Sequence, residues 1–131
     1  MDTQNKARRN PDPWVAEMNT YVCRLGYERS KKRQQLAKTW KLTLQEYVAL
    51  ATSDCFYCGC PPASAPGTKI LRATGIKRNG IDRIDSQKGY EPGNCVTSCC
   101  ACNREKGPRT QAEFFETTKR RFLHLRGKGL I

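Results

Sequence analysis

Apolar side chains at Trp14, Met18, Tyr21, Val22 and Leu25 recur every three to four residues. That spacing lays one stripe along a helix, with Pro13 acceptable at its start. Gly26 is expected to interrupt it. Upstream, residues 1–13 are polar, hold two prolines and show no apolar period, so they read as a flexible basic arm with Lys6, Arg8 and Arg9. Downstream comes the basic run Arg29-Ser30-Lys31-Lys32-Arg33, whose side chains would spread round a helical cylinder rather than form a core face. Thr43-Leu44-Gln45-Glu46 matches a capping box, in which the Thr hydroxyl and the Glu carboxylate each satisfy a free backbone N–H. It predicts a short helix from Leu44 to about Thr52. Pro61-Pro62 and Pro66-Gly67 then mark a loop.

The period changes in the second half. Lys69 to Ala73 reads as a short strand, Asn79-Gly80 as a turn, and Ile81 to Asp85 alternates as a half-buried strand should. Gly89 to Gly93 is a loop and Cys95-Val96-Thr97 another short strand. A helix is expected from Ser98–Cys100 to Gly107-Pro108. Thr110-Gln111-Ala112-Glu113 is a second capping box, opening a helix with Phe114, Phe115, Thr118, Phe122 and Leu125 on one side. Lys119, Arg120, Arg121 and Arg126 lie near its C-terminal end, where cations suit the helix dipole, and Gly127 and Gly129 end it. The fold class is α+β. One domain is expected over 14–131, with a helical lead-in (14–53), a core of strands and helix (54–108) and a C-terminal helix (109–131).

Composition narrows the function. The 131 residues carry 24 Lys and Arg against 12 Asp and Glu, a formal net charge of +12. Excess positive charge in every segment favours a polyanion partner. The longest unbroken apolar stretch, Tyr47 to Ala51, is far short of the ~20 residues that span a membrane. The N-terminus lacks the apolar core of a secretory signal, so a cytoplasmic, reducing setting is expected. In that setting eight cysteines suggest metal ligation rather than disulfides.

Their spacing is that of metal ligands. Cys55-x-x-Cys58 and Cys99-x-x-Cys102 can each turn a tight knuckle that aims two thiolates at one point. Two knuckles make a closed, tetrahedral, structural zinc site. Cys60 and Cys100 are nearby substitutes. Cys23 and Cys95 fall on predicted apolar faces and read as core residues. Between and after the knuckles, Asp82 sits on the first strand and Asn103 in the first turns of the helix. Two such oxygens, with waters and a phosphate oxygen, are the usual way magnesium is held.

The stretch Gly80-Ile81-Asp82-Arg83-Ile84-Asp85, then Gly89 to Val96, then Cys99 to Gly107, resembles the zinc-containing HNH endonucleases. These carry a ββα-metal motif flanked by two C-x-x-C knuckles. The resemblance covers about residues 27–115, including a lead-in over Tyr27–Arg33 and Leu42-Thr43-Leu44 found in many phage-type members. It implies a metal-dependent DNA endonuclease. By resemblance, Asp82 and Asn103 bind the catalytic magnesium or manganese, Asn94 pins the loop between the strands, and Cys55, Cys58, Cys99 and Cys102 hold the zinc.

Most of the family has Asp-His, where the histidine is the general base. Here Arg83 follows Asp82, and arginine keeps its proton. The only histidine, His124, falls on the C-terminal helix. A minority Asp-Arg branch has a tyrosine near the knuckle cysteines, as Tyr57 is here. The resemblance implies that Arg83 clamps the scissile phosphate and Tyr57 orients or activates the nucleophile. Packing of the Tyr57 ring over the knuckle is the alternative. Asp85 is another candidate base, and metal-bound water a third. Arg29, Lys31, Lys32, Arg33, Arg104, Lys106 and Arg109 are expected to hold flanking phosphates, which position DNA without reading its sequence. The expected partner is DNA, with the protein a monomer or homodimer. A non-catalytic zinc module that binds nucleic acid is the competing reading.

Overall fold

The computed structural model describes residues 12–27, 39–63 and 75–131. The chain runs α1 (Pro13–Tyr27), α2 (Leu44–Ala51), β1 (Gly80–Arg83), β2 (Cys95–Ser98), α3 (Cys100–Lys106) and α4 (Gln111–Gly127). Among the described residues this is an α+β arrangement in which a two-stranded antiparallel sheet sits among four helices. The predicted strand at 69–73 and the basic run at 29–33 lie outside the described residues.

Both capping boxes form. Thr43 accepts from the Glu46 N–H at 3.2 Å while Glu46 accepts from the Thr43 N–H, and Thr110 and Glu113 do the same at the head of α4. Helix α1 continues through Gly26, contrary to expectation. One interior glycine costs only about 1 kcal/mol relative to alanine, too little to end a helix that packs elsewhere.

The strands pair Gly80 with Ser98, Ile81 with Thr97, Asp82 with Val96 and Arg83 with Cys95. Strand β1 ends at Arg83, so Asp85 is not a strand residue. Asp85 is exposed in the loop that follows, where its carboxylate accepts from the Gln87 N–H at 2.9 Å. That local bond turns the backbone away from the ladder. Asn79-Gly80 does not make a tight turn either. Asn79 is buried, and its Nδ2 donates to the carbonyls of Ser53 (3.0 Å) and Cys60 (3.3 Å), tying the chain before β1 to the first knuckle. Gly80 already belongs to β1.

The core lies where α1 and α2 meet the sheet. Leu42, Tyr47, Ala51, Ile81 and Tyr90 are buried there, with Trp14, Met18, Tyr21, Leu25 and Trp40 packed round them. Full burial of one such large side chain contributes roughly 1.5–3 kcal/mol. Trp40 is central: its ring lies 5.3 Å from that of Tyr90 and 5.9 Å from those of Tyr21 and Tyr47. The Tyr21 hydroxyl accepts from the Ile81 N–H (3.2 Å) and donates to the Ile81 carbonyl (3.3 Å), locking α1 to β1. Gly89 is buried at a close approach, where a Cβ would lie 1.8 Å from the Thr39 hydroxyl.

Two expectations about packing change. Cys23 is exposed rather than in the core, whereas Cys95 packs against it. On α4 only Phe114 is buried, and Phe115, Phe122 and Leu123 face solvent.

One buried charge pair also joins α1 to the segment before β1. Arg78 Nε donates to Glu17 Oε1 at 2.5 Å, with both side chains almost fully enclosed. Removing one partner strands the other charge in a low dielectric. Glu17→Ala is therefore expected to cost about 3–5 kcal/mol, read as a lower urea midpoint at unchanged slope. Replacing Glu17 and Arg78 together by leucine should recover most of that loss.

Candidate metal centre and buried carboxylate

The first knuckle is a tight turn. The Gly59 N–H donates to the Cys55 carbonyl at 2.8 Å, and Gly59 takes a left-handed φ of +77°, which glycine adopts without steric cost. The Phe56 N–H donates to the Thr97 carbonyl at 2.8 Å, fastening the knuckle to β2. The second knuckle is the start of α3. Cys99 caps it through its own sulfur, which accepts from the Cys102 N–H at 3.4 Å. Across the gap the Cys99 N–H donates to Cys55 Sγ at 3.3 Å.

The sulfurs of Cys55, Cys58, Cys99 and Cys102 all lie within 4.8 Å of one another. Tetrahedral zinc with 2.3 Å bonds needs sulfurs about 3.8 Å apart, and Cys58 and Cys99 are 3.7 Å apart. The four residues thus fit a structural metal such as zinc. None of the eight cysteines forms a disulfide. Burial pulls the Cys55 thiol up, but the N–H groups of Cys99, Cys58 and Tyr57 outweigh it and bring the pKa to about 6. Cys99 is lowered in the same way: burial opposes, and the Cys102 N–H with neighbouring thiols prevails. Hydrogen bonding with Cys58, then burial, pushes Cys60 up to about 12, and burial with hydrogen bonds to Cys99 and Cys58 raises Cys102 as well.

Beside this centre lies a buried carboxylate. Asp82 on β1 accepts from the Tyr57 hydroxyl at Oδ2 (2.6 Å) and from Lys106 Nζ at Oδ1 (3.3 Å), and the same ammonium pairs with Oδ2 at 3.1 Å. Gln111, the first residue of α4, donates to the Tyr57 oxygen at 3.2 Å. Lys106 also reaches the Arg83 carbonyl at 3.4 Å. Tyr57 comes from the first knuckle, Asp82 from the sheet and Lys106 from the helix begun by the second knuckle. The Tyr57 ring stands edge-on to Phe114 at 5.2 Å. Burial, then the bond to Asp82, raises the Tyr57 pKa well above its usual value, so this tyrosine holds its proton.

Lys106 was expected on the phosphate-binding surface. It is instead 1% exposed and paired to Asp82, because the last turn of α3 faces β1. Arg109 is likewise engaged. It donates to the carbonyls of Lys106 and Glu105 and to the Thr117 hydroxyl, and stacks on Phe114, which joins α3 to α4. Arg104 is exposed as expected. Arg29, Lys31, Lys32 and Arg33 lie outside the described residues.

Asn94 is buried in the loop between the strands. Its Nδ2 donates to the carbonyls of Asp85 (3.1 Å) and Gly89 (2.9 Å), and its Oδ1 accepts from the Asp85 N–H at 2.9 Å. Arg83 turns to the same loop. Its Nη1 donates to the Ser86 and Lys88 carbonyls, both at 3.2 Å, and its guanidinium covers the Tyr90 ring. Asn103 is half-buried, one turn before Lys106 on α3 and so on the same helix face. Asp85 stands in the turn, outside the Tyr57–Asp82–Lys106 cluster.

Sequence reasoning missed Lys106 and Gln111 as partners of this cluster. The three-residue step from Asn103 to Lys106 was a usable signal for the first. Gln111 had none, since its place depends on how α4 docks.

No protein-family model matches the chain. An uncharacterized protein of Acanthamoeba polyphaga mimivirus is 40% identical over 65 residues, which is 50% of this chain and 10% of that protein. The chain therefore spans about a tenth of the length of the curated relative it matches. Among solved structures, the rare-cutting HNH restriction endonuclease PacI, studied for its mechanism of DNA perturbation, aligns at 24% identity and a TM-score of 0.45. The alignment covers 80% of this chain and 88% of that one. No helix among the described residues is long and apolar enough to cross a membrane.

The purified protein should carry one zinc ion per chain by elemental analysis. Cobalt exchange should give the visible spectrum of a tetrahedral four-thiolate site. Cys55→Ser or Cys99→Ser should abolish binding, and Cys60→Ser or Cys100→Ser should leave it intact.

Proposed function

We propose that this chain is a metal-dependent DNA phosphodiesterase of the HNH type, cutting one strand per site. The observation that carries the reading is the buried cluster of Tyr57, Asp82 and Lys106 next to two cysteine knuckles. Its supports come from the three pieces that a ββα-metal site combines. The sequence resemblance over Ile81–Gly107 points the same way.

Asp82 and Asn103 are the oxygen donors for magnesium or manganese. A carboxylate offers about four lone-pair sites, more than the hydrogen bonds from Tyr57 and Lys106 take up on Asp82. Such an ion, when bound, polarises the scissile phosphate and stabilises the leaving 3′ oxygen. Tyr57 and Lys106 hold Asp82 in a fixed orientation. A tyrosine that keeps its proton is suited to orienting the attacking water rather than deprotonating it. Arg83 spends Nη1 on the loop carbonyls, and its guanidinium can neutralise charge on a phosphate. Asn94 keeps the loop that carries those carbonyls in place. Arg104 and the basic surface hold flanking phosphates.

A second reading, a zinc module that binds DNA without cutting it, is favoured by Lys106, whose ammonium already neutralises Asp82. Incubation with supercoiled plasmid separates the two. Nicking is expected with magnesium or manganese. Asp82→Ala should reduce it by about two to three orders of magnitude, the rate cost of losing several kcal/mol of transition-state stabilisation. Tyr57→Phe preserves the ring packing and should slow nicking without lowering DNA affinity. Binding with no nicking, and Asp82→Ala indistinguishable from the parent, would select the second reading.

A further inference from the structure

Two phenyl rings next to the carboxylate cluster are left in solvent. Phe56, on the first knuckle, is 57% exposed, and Phe115, in the first turn of α4, is 47% exposed. Both lean on Tyr57, whose ring centroid lies 5.3 Å from that of Phe56 and 6.0 Å from that of Phe115. The Phe56 ring is held nearly perpendicular to Tyr57, at 87°. Neither ring is free to sink into the core. The Phe56 backbone is fastened to Thr97, and Phe115 is next to Phe114, which takes the buried position. The result is a pair of anchored aromatic surfaces flanking the tyrosine that holds Asp82, on a protein with net charge +12.

Exposed rings on a protein of net charge +12 suit one kind of ligand. A polynucleotide offers phosphates for the cations and flat π-faces for the rings. Stacking of bases on aromatic side chains is a sequence-tolerant source of affinity for unpaired strands. A base within an intact duplex is stacked on its neighbours and cannot present its face in this way. A lipid surface would also accept phenyl groups and cations. However, Phe56 and Phe115 both pack against Tyr57, whose hydroxyl donates to the buried Asp82, so they border a polar cluster.

We infer that Phe56 and Phe115 form a base-stacking platform beside the Asp82 site, so that the preferred substrate is a nucleic acid with an unstacked base. Mismatched, looped or single-stranded DNA is this class. The inference rests on the proposed action on DNA and specifies its substrate.

The test uses the zinc-loaded full chain and oligonucleotides carrying 2-aminopurine at an unpaired position, with no magnesium added. Binding should quench the fluorophore. Phe56→Ala and Phe115→Ala should each weaken binding by roughly tenfold, the loss expected for one base stack. Phe→Tyr at either position should restore it and Phe→Leu should not. Affinity for the fully paired duplex should change less than threefold. Zinc content and melting temperature identify any variant that fails to fold, and the Tyr and Leu variants then decide. Unchanged affinity in the alanine variants overturns the platform, as does rescue by leucine or an equal loss on duplex. So does loss of binding to phosphatidylserine vesicles in place of oligonucleotide.

Plasmid nicking run in parallel keeps the two proposals apart. A protein that nicks while its alanine variants bind unpaired DNA normally overturns the platform alone. One that stacks the base but never nicks upholds the platform and overturns only the hydrolytic reading.

Discussion

Four cysteine sulfurs gathered at one point are the constraint on which the rest of this molecule depends. Residues 55–58 and 99–102 are far apart in sequence, and the chain between them includes both strands. Electrostatic repulsion among thiolates would drive these segments apart. A divalent metal bound by the four sulfurs would reverse the sign of that interaction and make closure favourable. With the knuckles closed, the start of α3 is fixed against the Cys55 turn and β2 is fastened to Phe56. The helix then has little freedom over where its last turn points. It points at Asp82, and Lys106 is the side chain that arrives there.

The polar cluster follows from this placement and explains its own persistence. A buried carboxylate without partners is costly. Here one acidic group meets a cation and a phenol at once, and the phenol is in turn supported by Gln111 from α4. Charge is therefore concentrated at a point of low exposure, while the surrounding surface carries the net positive field. A second buried pair, Glu17 with Arg78, does similar work at the other end of β1. It binds the lead-in helix to the core.

Much of this was legible in the chain. The helical stripe at Trp14–Leu25, the two capping boxes and the C-x-x-C pairs are local signals. Each reports a constraint satisfied within a few residues, and each forms where expected. What misled were signals whose meaning is set by distant contacts. Asn79-Gly80 has the composition of a turn, yet Asn79 is spent on the Ser53 and Cys60 carbonyls. Asp85 continues an alternating pattern but caps a turn instead. Lys106 and Arg109 look like surface cations, yet Lys106 is buried and Arg109 half-buried by the way α3 and α4 pack, of which only the three-residue step from Asn103 gave a local sign. The C-terminal helix shows an apolar side in sequence, but only Phe114 finds a core to enter.

The most direct test of the thiolate clasp is backbone hydrogen exchange on the protein before and after the metal is stripped by a chelator. The account predicts that amides of residues 80–83, 95–98 and 100–106 lose protection together once the metal leaves, while those of α2 keep most of theirs. Strand and α3 amides that stay protected in the metal-free protein would contradict it, because the carboxylate cluster would then be assembled by packing alone.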